Sequence, residues 1–436
     1  MARQDTARTM LGASGLTVLG VLAPFLLGAQ AVLMQRDLGF GPARLGLAVS
    51  IFFATAAVAT ILGVGLLTRH GRRVGLVVAG LLVAVGSLLV ATLVQGWWTL
   101  VLAMAVLGLA NAACQGTANA AVATALPRHR RGLGFGIKQS AVPAAIMLGG
   151  LAVPTTTVLF GWRSTFLIVG GVGLLVVLAG LLGRGQGPAE AVRRPDGRLP
   201  DRAPRGPLLL CGLAIAFGSA AANFLGAYLA SWAHDVGLSI EQAGVLLALA
   251  SGSSIVLRIV LGHRADRRYG ANLPVVAGLM AGGALCLAVL GAVPQAWSVV
   301  LMGLLAFAVG WSWPGLVLYS VARLGRDSPT HASSTLQAGA FVGGAVGPAS
   351  FGLVVAVAGF QASWYAASAS MLVASALVLL ARRGFRADLE TRPPAEPFGY
   401  GGGHRRPRFT TPLPGTTQLS GTNRPPDLPR PPGLPL

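Results

Sequence analysis

The chain has 436 residues, 54% hydrophobic and 11% charged, where an average soluble domain carries about 25% charged residues. That much apolar surface excludes a water-soluble globular fold. The formal net charge of +20 comes from 33 Lys and Arg against 13 Asp and Glu; it would suit nucleic acid, but its distribution along the chain, traced below, argues for a membrane instead.

Continuous apolar runs long enough to cross roughly 30 Å of hydrocarbon recur along the chain. Twelve spans are predicted, at 11–34, 42–67, 73–95, 97–124, 133–158, 164–183, 207–233, 241–263, 273–294, 297–322, 332–358 and 362–381. Helices follow, not barrel strands, because the runs do not alternate polar with apolar and because a helix satisfies its own backbone in lipid. The expected class is an all-α membrane protein of twelve transmembrane helices. Arg3 and Arg8 precede the first run, which is too long for a secretory signal and leads directly into further spans, so it reads as an uncleaved first helix.

Span 1 carries Gln30 in an otherwise apolar helix, a position that suits either helix packing or a solute path. After span 2 comes Val64-Gly-Leu-Leu-Thr-Arg-His-Gly-Arg-Arg73; after span 8, Gly262-His-Arg-Ala-Asp-Arg-Arg268. Span 4 holds Asn111, Gln115 and Asn119 at four-residue intervals, a polar stripe on one helical face that belongs against protein or water. Lys138 and Gln139 open span 5. Span 7 holds Asn223 and Tyr228, with Trp232 expected at the membrane interface. In span 8, Arg258 lies eight residues before Asp266, roughly 12 Å of helix rise and too deep for easy snorkelling. An arginine at that depth calls for a carboxylate or an anion, or serves structure by bonding carbonyls or Asp266. Span 10 places Trp311 and Trp313 beside Pro314-Gly315, where a kink is expected and at most one indole can face the centre. Span 11 repeats small residues from Gly339 to Gly347 at four-residue spacing, which permits close helix packing. From Arg386 onward, Pro and Gly dominate and no core can form.

Basic residues sit almost entirely on alternate connections: Arg69 to Arg73, Arg128 to Arg131, the segment Arg184–Arg205, Arg264 to Arg268, Arg323, Arg326 and the tail from Arg382. The opposite connections carry only Arg36, Arg44 and Arg163. By the positive-inside rule both termini and the central segment face the cytoplasm of an inner membrane. Laying the second half on the first at an offset of 198 residues (235 − 37) pairs Asp37 with Asp235, Gly39 with Gly237, Gly46 with Gly244, Gln139 with Gln337, and Gly161 with Gly359 without a gap. An internal duplication follows. Lys138 departs from it, its mate being Leu336; a lysine near a helix end can snorkel to the interface, but a charge present in one copy alone is the alternative expected of a solute contact.

The loop after span 2 resembles the signature loop of the major facilitator superfamily. Leu66, Arg69, Gly71, Arg72 and Arg73 match that pattern, while Val64 replaces its first glycine and Thr68 its acid; the second copy keeps Gly262, Asp266 and Arg267. The resemblance implies two pseudo-symmetric six-helix bundles, residues 1–183 and 207–385, a cytoplasmic linker 184–206 and a disordered tail 386–436. It also implies a monomeric secondary transporter of a small solute working by alternating access, with the signature loops as latches. Arg131–Pro143, Gly161-Trp-Arg and Gly310–Gly315 look similar to bacterial members of the cyanate and nitroimidazole transporter group.

The substrate site expected from these residues is Gln30, Asn111, Gln115, Lys138, Gln139, Asn223, Tyr228, Arg258, Trp311 and Gln337, with Lys138 and Arg258 favouring a small anion. Efflux of an apolar drug is the alternative, and a non-transporting membrane sensor is a reading from another class. Neither cofactor nor metal is expected. The six His are scattered over connections, no buried carboxylates pair, and no phosphate-binding loop is present, which removes the usual ingredients of an enzyme. For the same reason an acid-based proton relay is not expected; a proton could instead be bound together with the anion.

Overall fold

A computed structural model describes residues 2–63, 70–125, 138–183, 202–265, 272–326 and 328–392. Leu66, Arg69, Asp266 and Arg267 lie outside the described residues, as do most of the linker and the tail from 393. Among the described residues there is no strand, and the helices run up and down in chain order. The first half comprises α1 (Ala2–Ala29, extended by a short helix Ala31–Leu38), α2 (Pro42–Leu62), α3 (Gly71–Thr92), α4 (Trp97–Ala125), α5 (Ala141–Ala152, continuing through a π turn to Phe160) and α6 (Trp162–Leu182). The second comprises α7 (Arg205–Asp235), α8 (Ile240–Ala265), α9 (Asn272–Ala292) and α10 (Ala296–Leu305, a π turn Ala306–Gly310, then Trp313–Leu324). A last helical stretch, Pro329–Thr391, breaks at Gly359 (φ 81°, ψ 173°) into α11 and α12. That break turns the eleven long apolar stretches into the twelve expected spans.

The duplication is visible in the backbone. Gly39 and Gly237 both adopt positive φ (64° and 101°), as do Gly161 and Gly359 (78° and 81°). These are the turns after equivalent helices, and only glycine enters that region without steric cost. Packing repeats as well: α11 lies on α7 through Gly339, Gly343 and Gly347, whose missing side chains let the two backbones touch, and α5 lies on α1 through Gly149 against the Phe25 backbone. The small-residue stripe of α11 is therefore a packing surface.

Four local expectations change. Helix α10 breaks at Trp311 and Ser312, ahead of Pro314, which occupies the first turn of the next helix, where its missing N–H costs nothing. Trp232 is buried against Phe360, ring centroids 5.2 Å apart, instead of lying at a lipid interface. Helix α12 runs to Thr391, past the boundary expected at 385, because Asp388 is gripped by Arg326 (2.7 Å) and by Arg392 of its own helix. At its start, α7 takes in Arg205 and Gly206 from the linker, and Arg202 pairs with Arg326 in a single bridge.

Candidate functional site

The two halves meet along two crossings that the duplication relates. Gly46 of α2 lies against the Pro348 carbonyl of α11, where an added Cβ would come within 2.0 Å; Gly244 of α8 lies against the Gly150 carbonyl of α5, at 2.8 Å. Gly46 pairs with Gly244 and Gly150 with Pro348 in the same register, so one contact is made twice. Both crossings lie near the start of α2 and of α8, at the end of the bundle here called the far end; the end at which α1 begins, α6 stops, α7 begins and α12 stops is the near end. Tyr228 strengthens the seal by donating its hydroxyl to the Pro42 carbonyl of the other half (2.6 Å), and Ser50 Oγ accepts the Ala349 N–H (2.9 Å).

Nearer the other end, the interface becomes polar. Lys138, buried just before α5, donates to Gln115 Oε1 (2.5 Å) and Asn119 Oδ1 (2.6 Å) on α4. The four-residue spacing that puts both amides on one helical face is what lets a single ammonium reach both. Arg258 of α8 comes to the same place from the second half. Its Nη1 donates to the Gln139 carbonyl (2.7 Å), while Nε and Nη2 donate to the Trp311 carbonyl (3.2 and 2.5 Å). Trp311 sits in the gap of α10, where the π turn ends and the next helix has not begun, so its carbonyl is free to accept them. Among the described residues neither cation pairs with a carboxylate, and no group of His, Cys, Asp or Glu could hold a metal.

The Trp311 indole packs between the halves against Phe25 (6.0 Å), with Phe307 behind it and Gly226 leaving room for its ring. Trp313 turns away into the second bundle, over Gly218 and Met280.

Lys138, Gln115, Gln139, Arg258 and Trp311 are thus brought together. Other expected site residues lie elsewhere. Gln30 donates to Thr165 within the first bundle (2.8 Å), Asn111 faces Gly20 of α1, and Asn223 bonds the Ser219 carbonyl one turn back. Tyr228 belongs to the far-end seal, and Gln337 lies half-buried on α11. Of the signature-loop residues, Gly71 (φ 85°), Arg72 and Arg73 start α3, and Gly262 is in the last turn of α8. Asn119 and Phe25 complete the cluster without having been singled out as site residues; for Asn119 the i, i+4 spacing from Gln115 was the available signal, for Phe25 there was none.

At the far end, the few arginines are each engaged. Arg163 donates to the Val94 carbonyl (3.0 Å) and lies over Trp162, whose indole donates to Asp37 (2.7 Å); Arg44 lies over Trp97. Arg36 Nη2 meets His234 Nε2 of the other half at 3.1 Å.

The family model described as Major Facilitator Superfamily matches residues 10–334 and 208–419. A multidrug resistance protein MdtG of Enterobacter lignolyticus (strain SCF1) is 33% identical over 137 residues, 31% of this chain and 32% of its own length. The MdtG of Salmonella paratyphi B is 33% identical over 127 residues, 29% and 31% respectively. The chain therefore matches about a third of the length of these curated relatives. Among solved structures, a bacterial homolog of the human lysosomal transporter Spinster, crystallised inward-facing and unoccupied, superposes with a TM-score of 0.69 at 18% identity, over 88% of this chain and 98% of its own. The occupied form gives 0.62 at 17%, over 87% and 96%. At these identities the likeness is one of fold.

Proposed function

The chain belongs to the major facilitator superfamily, whose members are transporters and not enzymes, and from that premise we propose that its cargo is a small anion, organic or inorganic, moved by alternating access. One observation carries this reading: Lys138 and Arg258, one from each half, converge at the start of α5 with only neutral oxygens as partners. A cation held by amide oxygens keeps most of its attraction for an anion, and charge-assisted bonds are roughly twice as strong as neutral ones. An incoming carboxylate or similar group displaces the Gln139 carbonyl from Arg258 and the amides from Lys138. It thereby replaces a direct bond between the halves with one through the cargo. The polar end of the interface then separates or closes with the cargo's charge, while Trp311 and Phe25 supply an apolar wall.

The near end, which carries Arg72, Arg73, Arg202, Arg264 and Arg326, faces the cytoplasm in this reading. The whole path lies within one chain, so a monomer suffices. Efflux of an apolar drug is the second reading, supported by the printed name of the MdtG relatives and by the aromatic cluster around Trp311.

Tryptophan fluorescence of the purified protein separates the two. Small organic anions should quench or shift the emission, and Arg258→Gln and Lys138→Gln should each weaken that binding by about tenfold or more. Binding of uncharged drugs at affinities that neither substitution changes would overturn the anion reading in favour of efflux.

A further inference from the structure

The contact between Arg36 and His234 joins residues exactly one repeat apart, separated by 198 positions. Equivalent residues of two halves can touch only close to the axis that relates them, so this pair marks the centre of the far end. We propose that His234 is a proton-binding site of the far gate, whose protonation on its Nε2 breaks the contact with Arg36 and favours the far-open state.

The bonding pattern permits one neutral tautomer. His234 Nδ1 lies 3.0 Å from the Leu238 carbonyl, which can only accept, so Nδ1 carries hydrogen. Arg36 can only donate, so Nε2 presents its lone pair. A proton taken from water onto Nε2 uses that lone pair to form an N–H bond, and no other covalent bond changes. Two N–H cations then face each other at a distance set for donor and acceptor, while the bond to Leu238 survives and keeps the ring in place. The inter-half contact is lost and replaced by repulsion, whereas the glycine crossings beneath it carry no charge. Histidine is the side chain whose ordinary titration falls between pH 5 and 8.

Water reaches the pair, since Arg36 and His234 line a cavity of about 350 Å³ together with Tyr228, Ser231 and Asp235. The other charged or titratable groups around it are largely committed. Asp37 accepts from Trp162, Glu241 from Ser239, the Tyr228 hydroxyl is spent on Pro42, and Arg44 lies over Trp97. Asp235, exposed in the same cavity, is the carboxylate that moderates the effect. The device supplies a proton site outside any buried carboxylate and rests on the alternating-access reading above.

The test uses nitroxide pairs at Gly41→Cys and Gln361→Cys, exposed far-end positions on opposite halves, in the full chain in lipid nanodiscs. The three native cysteines are buried and stay in place. Between pH 7.5 and 5.5 the wild-type distance distribution should shift toward the far-open population by about threefold to fivefold, the size expected of an exposed charged contact. His234→Gln, which keeps an acceptor but takes no proton, and Arg36→Gln, which removes the opposing charge, should both abolish the response. A wild type without a pH response, or a response retained in either variant, overturns the proposal. A Gly46→Leu control, unable to close, shows whether the labels report the gate. If it shifts the distances while pH does not, His234 is not the proton site; if it too leaves them unchanged, the alternating-access reading fails as well.

Discussion

The far-end crossings and the Lys138–Arg258 cluster lie along the same interface, yet they follow opposite rules. At the far end the backbone contacts come in matched pairs: Gly46 on Pro348 and Gly244 on Gly150, the positive-φ turns at Gly39 and Gly237, and Arg36 touching its own equivalent, His234, while the hydrogen bonds of Tyr228 and Ser50 are added on one side alone. In the polar cluster neither cation is repeated. Lys138 corresponds to Leu336, which is buried in apolar packing, and Arg258 to Thr60, whose hydroxyl merely bonds the Ala56 carbonyl of its own helix. Symmetric contacts suit a hinge, because two bundles that rock about an axis need matching surfaces on both sides of it. Charge placed in one copy alone serves no such need, which is why the asymmetric residues are the ones to which the cargo is assigned.

Transport is most sensitive at the crossings. Gly46→Leu would push a side chain into the Pro348 carbonyl and the Tyr228 hydroxyl, with Cβ distances of 2.0 and 2.5 Å, and overpacking of this kind costs about 1–3 kcal/mol. Because the strain exists only when the far end is closed, transport should fall by about fivefold to a hundredfold, as read from solute uptake into proteoliposomes. Gly244→Leu should do the same from the other side, and a harmless result at either position would separate the two crossings.

Within the cluster the expected effect is on stability. Arg258→Met removes three hydrogen bonds and leaves the Trp311 carbonyl without its donors, a loss of about 1–3 kcal/mol in thermal or denaturant unfolding. Thr60→Val, at the equivalent place in the first half, should change stability by less than about 0.5 kcal/mol. Equal effects at the two positions would mean that the two halves are energetically alike there. Gly161→Ala and Gly359→Ala place a side chain at matching positive φ values, 78° and 81°, where each should cost about 1 kcal/mol. Their unfolding shifts should agree with each other more closely than those of any pair drawn from the cluster.

Much of the architecture was legible because it depends on properties that a one-dimensional reading retains. Span length and apolar continuity report the thickness of the bilayer, and the constant offset reports the duplication, so the break at Gly359 could be expected from Gly161. Local spacing also carried part of the site: Gln115 and Asn119 are four residues apart, and Lys138 stands out against Leu336. Boundaries set by distant partners were not legible. The end of α12 depends on Asp388 meeting Arg326, 62 residues earlier, and Trp232 is buried because Phe360 comes to rest beside it.

By itself the sequence determined that this chain is an all-helical membrane protein in two copies of one unit, with its charge concentrated on one set of connections and two isolated cations in or beside its apolar spans. Tertiary structure alone decided where those cations spend their donors. The Gln139 carbonyl is 119 residues from Arg258, and the Trp311 carbonyl is available only because α10 breaks there. A helix backbone bonds within itself and leaves no trace of such a gap in composition or periodicity, so the meeting of Lys138 and Arg258 appears only when the halves are docked.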